Sequence, residues 1–166
     1  MPEDCVSCRR PKASFTCDMC HEHLCKECVT YLDSTAFSFR ASVSEDLKHV
    51  RYCRTCYEQK VEPELHAYNE VLEHARGVYF FFSSQRKVPP TLRRSKQVLR
   101  VDKCEDRDAT ILHLAFQAAE LGFNAVIDAE VISTKIRNAG YQKSWWQGSG
   151  FPAQVDAEKL EREARF

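Results

Sequence analysis

The 166-residue sequence has no excess of charge, because 24 Lys and Arg balance 24 Asp and Glu. That balance disfavours a nucleic-acid binder working through a globally basic surface. Long hydrophobic runs are also missing. The longest, from Gly77 to Phe82, is far short of the roughly 20 residues a membrane-spanning helix needs. The stretch from Met1 to Arg10 has none of the apolar core of a secretory signal, so the expected setting is a reducing, intracellular and cytoplasmic one. Only five glycines occur, none forming a phosphate-binding loop, and neither a nucleophile elbow nor a His-Glu-x-x-His motif is present. The expectation is a protein that is not an enzyme. Large aliphatic side chains are scarce in the first 60 residues, too scarce for that part to fold by burial alone.

Cysteine is abundant there instead. Four Cys-x-x-Cys pairs, Cys5/Cys8, Cys17/Cys20, Cys25/Cys28 and Cys53/Cys56, fall within the first 56 residues. Two thiolates separated by two residues can wrap one metal, and eight thiolates suit two tetrahedral Zn2+ ions. The gaps between pairs are eight, four and twenty-four residues. Four residues are too few for the second and third pairs to close separate compact lobes, which favours interleaving. The expected ligand sets are Cys5, Cys8, Cys25 and Cys28 for one ion, and Cys17, Cys20, Cys53 and Cys56 for the other. His21 and His23 lie between Cys20 and Cys25 and are alternative ligands. A disulfide framework is the competing use of the cysteines, disfavoured by the expected reducing compartment. Cys104 stands apart and is expected to be a small, half-buried apolar side chain.

The run from Cys17 through His21 and His23 to Cys28, followed by Arg51-Tyr52-Cys53-Arg54-Thr55-Cys56-Tyr57, resembles the FYVE and FYVE-related zinc fingers. In that family the fourth and fifth cysteines are also four residues apart, and the last pair is framed as Arg-x-Cys-x-x-Cys-Tyr. The resemblance covers about the first third of the chain. It implies a small two-zinc treble-clef module with short hairpins, cross-braced by its ions, and a helix starting near Cys53 to Tyr57. It also brings in membrane recruitment through anionic phosphoinositide. The residues for that are mostly absent: Met-Pro-Glu-Asp precedes Cys5 where lipid-binding members have Trp-x-x-Asp, and Ala13 to Asp18 replaces the basic motif around the third cysteine. Arg51 alone survives. Taking His21 in place of Cys20 gives instead a RING-like ligand order, the scaffold of many ubiquitin ligases, and the first part also resembles a B-box.

Between Cys28 and Cys53, Phe37, Phe39, Ala41 and Val43 alternate with polar residues, which predicts a strand. Ser44 to Leu47 looks like a turn or helix start. Beyond Pro63, Leu65, Tyr68, Leu72, Ala75 and Tyr79 recur every three or four residues, predicting an amphipathic linking helix ended by Gly77. His66 and His74 on that helix have no further ligand nearby in sequence.

Val78 to Ser83 then predicts a strand. The segment with Arg86, Lys87, Arg93, Arg94, Lys96 and Arg100 reads as a solvated connector stiffened by Pro89 and Pro90. A helix led by Asp106 or Asp108 and ended by Gly122 follows, then a strand from Asn124 to Ile132, a turn at Asn138 to Gly140, and a strand from Tyr141 through Trp146. Trp145 and Trp146 are expected on opposite faces, one in the core and one exposed. Asp128 and Glu130 are expected on one strand face, as a solvent-facing edge. Gly148 to Gly150 reads as a bend in a strand. The segments Ala118 to Ile127 and Gly148 to Pro152 resemble the YbjQ-like heavy-metal-binding family, which implies a compact scaffold prone to oligomerise.

The expected architecture is thus a FYVE-like zinc module over residues 1–61, a linking helix over 62–77, a small α+β domain (strand, helix, strand, strand) over 78–156, and a charged helix or tail over 157–166. The expected function is a zinc-binding adaptor for a protein partner, with self-association through the second domain as a further expectation. A RING-type ubiquitin ligase and anionic-lipid binding are the alternatives.

Overall fold

The computed structural model describes residues 3–165; the outermost ends of the expected 1–61 and 157–166 segments, at residues 1, 2 and 166, lie outside them. The chain divides into two compact units, Met1–Glu70 and Val71–Phe166. No helix among the described residues is long and apolar enough to cross a membrane.

The first unit is built from very short pieces. Strands β1 (Phe15–Thr16) and β2 (His23–Leu24) form one antiparallel pair, and β3 (Thr30–Tyr31) and β4 (Arg51–Tyr52) a second. The expected strand around Phe37 to Val43 does not form. Asp33 accepts hydrogen bonds from the Thr35 backbone N–H and hydroxyl, and successive tight turns then carry the chain through Arg40. Local side-chain bonding thus won over the alternating pattern. Phe37 is buried edge-on against Tyr68, ring centroids 5.4 Å apart. Ser44 to Leu47 yields one turn of 3-10 helix, Glu45–Leu47.

The helix start expected near Cys53 to Tyr57 and the linking helix expected over 62–77 form one continuous run. Helix α1 (Arg54–Cys56) runs through one wide turn (Tyr57–Val61) into α2 (Glu62–Arg76). In that wide turn the Glu62 N–H donates to the Tyr57 carbonyl, five residues back. Pro63 has no N–H with which to continue the ordinary pattern, and the widening lies just before it. Tyr68 and Ala75 are the buried residues of the expected stripe. Tyr79, assigned to that stripe from its spacing, belongs to the next strand, because Gly77 ends the helix and its N–H turns back to the His74 carbonyl.

The second unit is an α+β arrangement with more sheet than expected. Strands β5 (Tyr79–Phe82), β6 (Thr91–Arg94), β7 (Leu99–Cys104), β8 (Ala125–Asn138) and β9 (Tyr141–Val155) make one five-stranded sheet in the order β5-β8-β9-β6, with β7 also paired to β9. The expected basic connector therefore contributes β6 and the first two residues of β7. Three of its six cations are engaged within the fold: Arg93 lies over Phe123, Arg94 over Phe151 and 2.9 Å from Asp128, and Lys87 reaches Glu163. These contacts allow a strongly charged, Pro-flanked segment to join a sheet.

Helix α3 (Arg107–Glu120) is capped by Asp106, whose carboxylate accepts from the Ala109 N–H at 2.7 Å. Gly122 closes it at φ 83°. Leu114 and Ala118 pack on Leu99, Val101, Val126 and Ala129 to form the core. Gly148 and Gly150 lie inside β9, which runs on through them to Val155. A Cβ on Gly148 would stand 2.8 Å from both Leu114 and Thr110, so glycine here lets α3 approach the sheet. Asp128 sits in a bulge at φ 50° where the β8–β9 register shifts. Asp128 and Glu130 are both solvent-exposed, as expected of an edge, and each has its own partner: the first pairs with Arg94 and the second accepts from Ser83. Helix α4 (Ala157–Ala164) follows, capped by Asp156.

Candidate metal centres

The hairpins of the first unit determine which cysteines meet. Pairing of β1 with β2 puts Cys17 and Cys20 in the connecting loop and Cys25 and Cys28 directly after the second strand. The Val6 N–H donates to the His23 carbonyl, which fixes the Cys5/Cys8 pair against β2. Pairing of β3 with β4 closes the long excursion after Cys28 and delivers Cys53 at the start of α1. Arg9 and His21, the residues just after Cys8 and Cys20, are left-handed at φ 60° and 64°. This backbone turn folds each of the first two pairs into a knuckle.

Two groups of four thiols result. The ligand atoms of Cys5, Cys8, Cys25 and Cys28 lie within 4.8 Å of one another, and so do those of Cys17, Cys20, Cys53 and Cys56. The first pair is thereby joined to the third, and the second to the fourth. His21 and His23 belong to neither group; the His23 imidazole faces the Glu3 carboxylate. Cys104 lies outside both groups, as do His66, which faces Glu70, and His74.

The spacings suit a metal and not a disulfide. Sγ of Cys8 and Cys25 are 3.6 Å apart, and those of Cys20 and Cys53 are 3.7 Å apart. A disulfide needs about 2.05 Å. A tetrahedron of sulfurs each about 2.3 Å from a central Zn2+ has edges of about 3.8 Å. Each group can therefore hold one metal ion through four protein ligands.

Electrostatics within each group point the same way. Burial works against the Cys5 thiolate, but the backbone N–H groups of Cys25, Cys8 and Ser7 outweigh it and bring its pKa down to about 6. Burial likewise opposes the Cys17 thiolate, and the backbone N–H groups of Cys20, Cys53 and Met19 bring it down to about 7. Their neighbours move in the opposite direction. Hydrogen bonding to the sulfurs of Cys25 and Cys8, then burial, pushes Cys28 up to about 12. Burial and the Cys53 and Cys20 sulfurs likewise raise Cys56. One anion per group forms readily and the next is opposed, so ionisation of the whole set calls for a cation at its centre.

The cysteines are also the core. Cys5, Cys17 and Cys53 are buried with Leu24, and Val6, Phe15, Met19 and Val29 pack around them. Two structural contributors had no sequence signature in the cysteine pattern. Asp18 and Arg51 clamp the second group, and the Cys53 sulfur accepts the Cys56 N–H at 3.4 Å as the helix N-cap. Comparison of the chain with protein-family models, with curated proteins and with solved structures finds no match in any of the three.

Proposed function

We propose that the first unit is a cross-braced two-zinc module of FYVE-related, treble-clef type, and that the chain is a non-catalytic adaptor presenting this module to a protein partner. The observation that carries the zinc reading is the pair of closed four-thiol groups with sulfur separations near those of a zinc tetrahedron. Four protein ligands leave no coordination position for water or substrate, which is the arrangement of a structural site. Four soft thiolates select Zn2+ over hard cations. The small apolar content around these groups supports a folding role, since metal binding then supplies what burial does not.

Native mass spectrometry of the purified chain should find two Zn2+ per molecule. One ion or none would overturn the reading. Autoubiquitination with a panel of conjugating enzymes tests the ligase alternative, and robust zinc-dependent activity would replace the adaptor proposal. The ligand groups favour the adaptor, because Cys20 and not His21 completes the second set.

A further inference from the structure

The β8–β9 hairpin outgrows its sheet. Strand β5 pairs with β8 only as far as Ala129, and β7 pairs with β9 no further than Trp146. Beyond these points β8 and β9 pair with each other alone, from Thr134 opposite Trp145 to Asn138 opposite Tyr141. Ala139 and Gly140, at φ 45° and 89°, make the tight turn at the tip. A two-stranded ribbon in water is marginally stable by itself.

Its two faces differ. Gly148, opposite Val131, faces α3. Counting outward by register, Ile132, Thr134 and Ile136 share the opposite face with Trp145, Lys143 and Tyr141. Ile132 is 53%, Ile136 45% and Tyr141 83% exposed. The expectation that one tryptophan is core and the other exposed is replaced by two half-buried rings on opposite faces. The Lys143 ammonium sits 4.1 Å from the Trp145 ring centroid. Residues 131–150 contain Lys135, Arg137 and Lys143 but no Asp or Glu, and among the described residues these three cations make no ion pair. In a chain of zero net charge, this arm is locally cationic throughout.

We propose that the β8–β9 arm docks on an anionic lipid bilayer, laying Ile132, Ile136, Tyr141 and Trp145 into the interface while Lys143 on the same face engages the headgroups, and Lys135 and Arg137, which the register puts on the reverse face of the thin ribbon, add to its positive field. Charge complementarity selects this occupant. Pairing of two arms would set cations against cations with no carboxylate between them. Nucleic acid would neutralise the cations but leave the two isoleucines unused, since stacking needs flat rings. A bilayer uses every part: aliphatic groups enter the acyl boundary, Trp and Tyr sit at headgroup depth, and long cationic side chains snorkel to the anionic surface. The site is independent of the cysteine groups, and so of the adaptor proposal.

The test is co-sedimentation of the full, zinc-loaded chain with vesicles of phosphatidylserine and phosphatidylcholine, against phosphatidylcholine alone. Binding should require phosphatidylserine, weaken with salt and shift tryptophan emission to the blue. Ile136→Asp with Tyr141→Asp should abolish it. Reversal of the three cations to Glu should weaken it roughly 100-fold. All five positions are exposed, so unchanged thermal melting serves as the folding control. Failure to bind phosphatidylserine vesicles, or binding indifferent to both arm variants, would overturn the proposal. So would a dimer abolished by Ile136→Asp, or single-stranded RNA binding through the arm in place of vesicle binding.

Discussion

Arg51 and Asp18 hold one another through both backbone and side chain. The Arg51 N–H and guanidinium donate to the Asp18 carboxylate at 2.9 and 2.8 Å, while the Asp18 N–H donates to the Arg51 carbonyl at 2.9 Å. Asp18 follows Cys17, and Arg51 precedes Cys53 by two residues. The clamp therefore ties together the two chain segments that supply the second cysteine group, across 33 positions of sequence.

Partial burial works against the Asp18 carboxylate, but the Arg51 backbone N–H, its guanidinium and the Val50 N–H hold it below the ordinary carboxylate range. Asp18→Ala should remove all of these at once. The Arg51 side chain is 41% exposed, so solvent discounts its share, and the expected loss is about 1–2 kcal/mol of unfolding free energy. Chemical denaturation of the zinc-loaded protein measures it. A loss below a few tenths of a kcal/mol would show that the cysteine groups alone align the two segments.

Metal removal should separate the two units. The first has its cysteines at the centre of its core, whereas the second buries Leu99, Val101, Leu114, Ala118, Val126 and Ala129 without any metal ligand. A strong chelator, or Cys53→Ser, should collapse the amide NMR spectrum of residues 3–61 and leave that of residues 79–155 dispersed. Serine retains an N-cap acceptor for the Cys56 N–H, so the collapse would report loss of a ligand and not of the cap. Collapse of the whole spectrum would instead make the second unit dependent on the first.

The cysteine groups were legible because their chemistry is local and digital: a pair either has chelating spacing or does not, and four intervening residues restrict the wiring. The same directness made Gly122 readable as a helix end and narrowed the start to Asp106 or Asp108, of which Asp106 is the cap. What escaped depended on distant partners. Thr91 to Arg94 looks like a loop until Arg94 is seen over Phe151 and beside Asp128, and no window of sequence contains all three. The alternation from Phe37 to Val43 misled in the other direction, because the Asp33 side chain had already turned the chain.

Gly148 is where a small change should be felt in the second unit. An added methyl would stand 2.8 Å from Leu114 Cδ1 and Thr110 Cγ2, so α3 or these side chains must yield. Gly148→Ala should cost about 1–3 kcal/mol. Leu114→Ala in the same chain should recover part of that loss, although Leu114→Ala alone destabilises by opening a cavity. A double-mutant cycle by denaturation measures the coupling. Purely additive losses would mean that the contact does not govern how closely α3 packs.

Lys87 and Glu163 give the C-terminal helix a pH dependence whose sign is fixed. The Lys87 ammonium lies 2.5 Å from the Glu163 carboxylate; its hydrogen bond and charge, with a smaller contribution from Lys159, hold Glu163 below the ordinary glutamate value of 4.5. A carboxylate depressed by folding stabilises the folded form above its unfolded pKa, and that contribution fades as pH falls through the lower, folded value. Attachment of α4 should therefore be complete at neutral pH and loosen only in acid below 4.5. A carboxyl-detected NMR titration should place the Glu163 midpoint below 4.5, and Lys87→Ala should raise it. High salt should raise it as well, since both groups are accessible to solvent and the attraction is screened. A midpoint unmoved by Lys87→Ala would remove the ion pair as the cause and leave the Asp156 cap, which accepts the Lys159 N–H at 3.1 Å, as what holds the start of this helix.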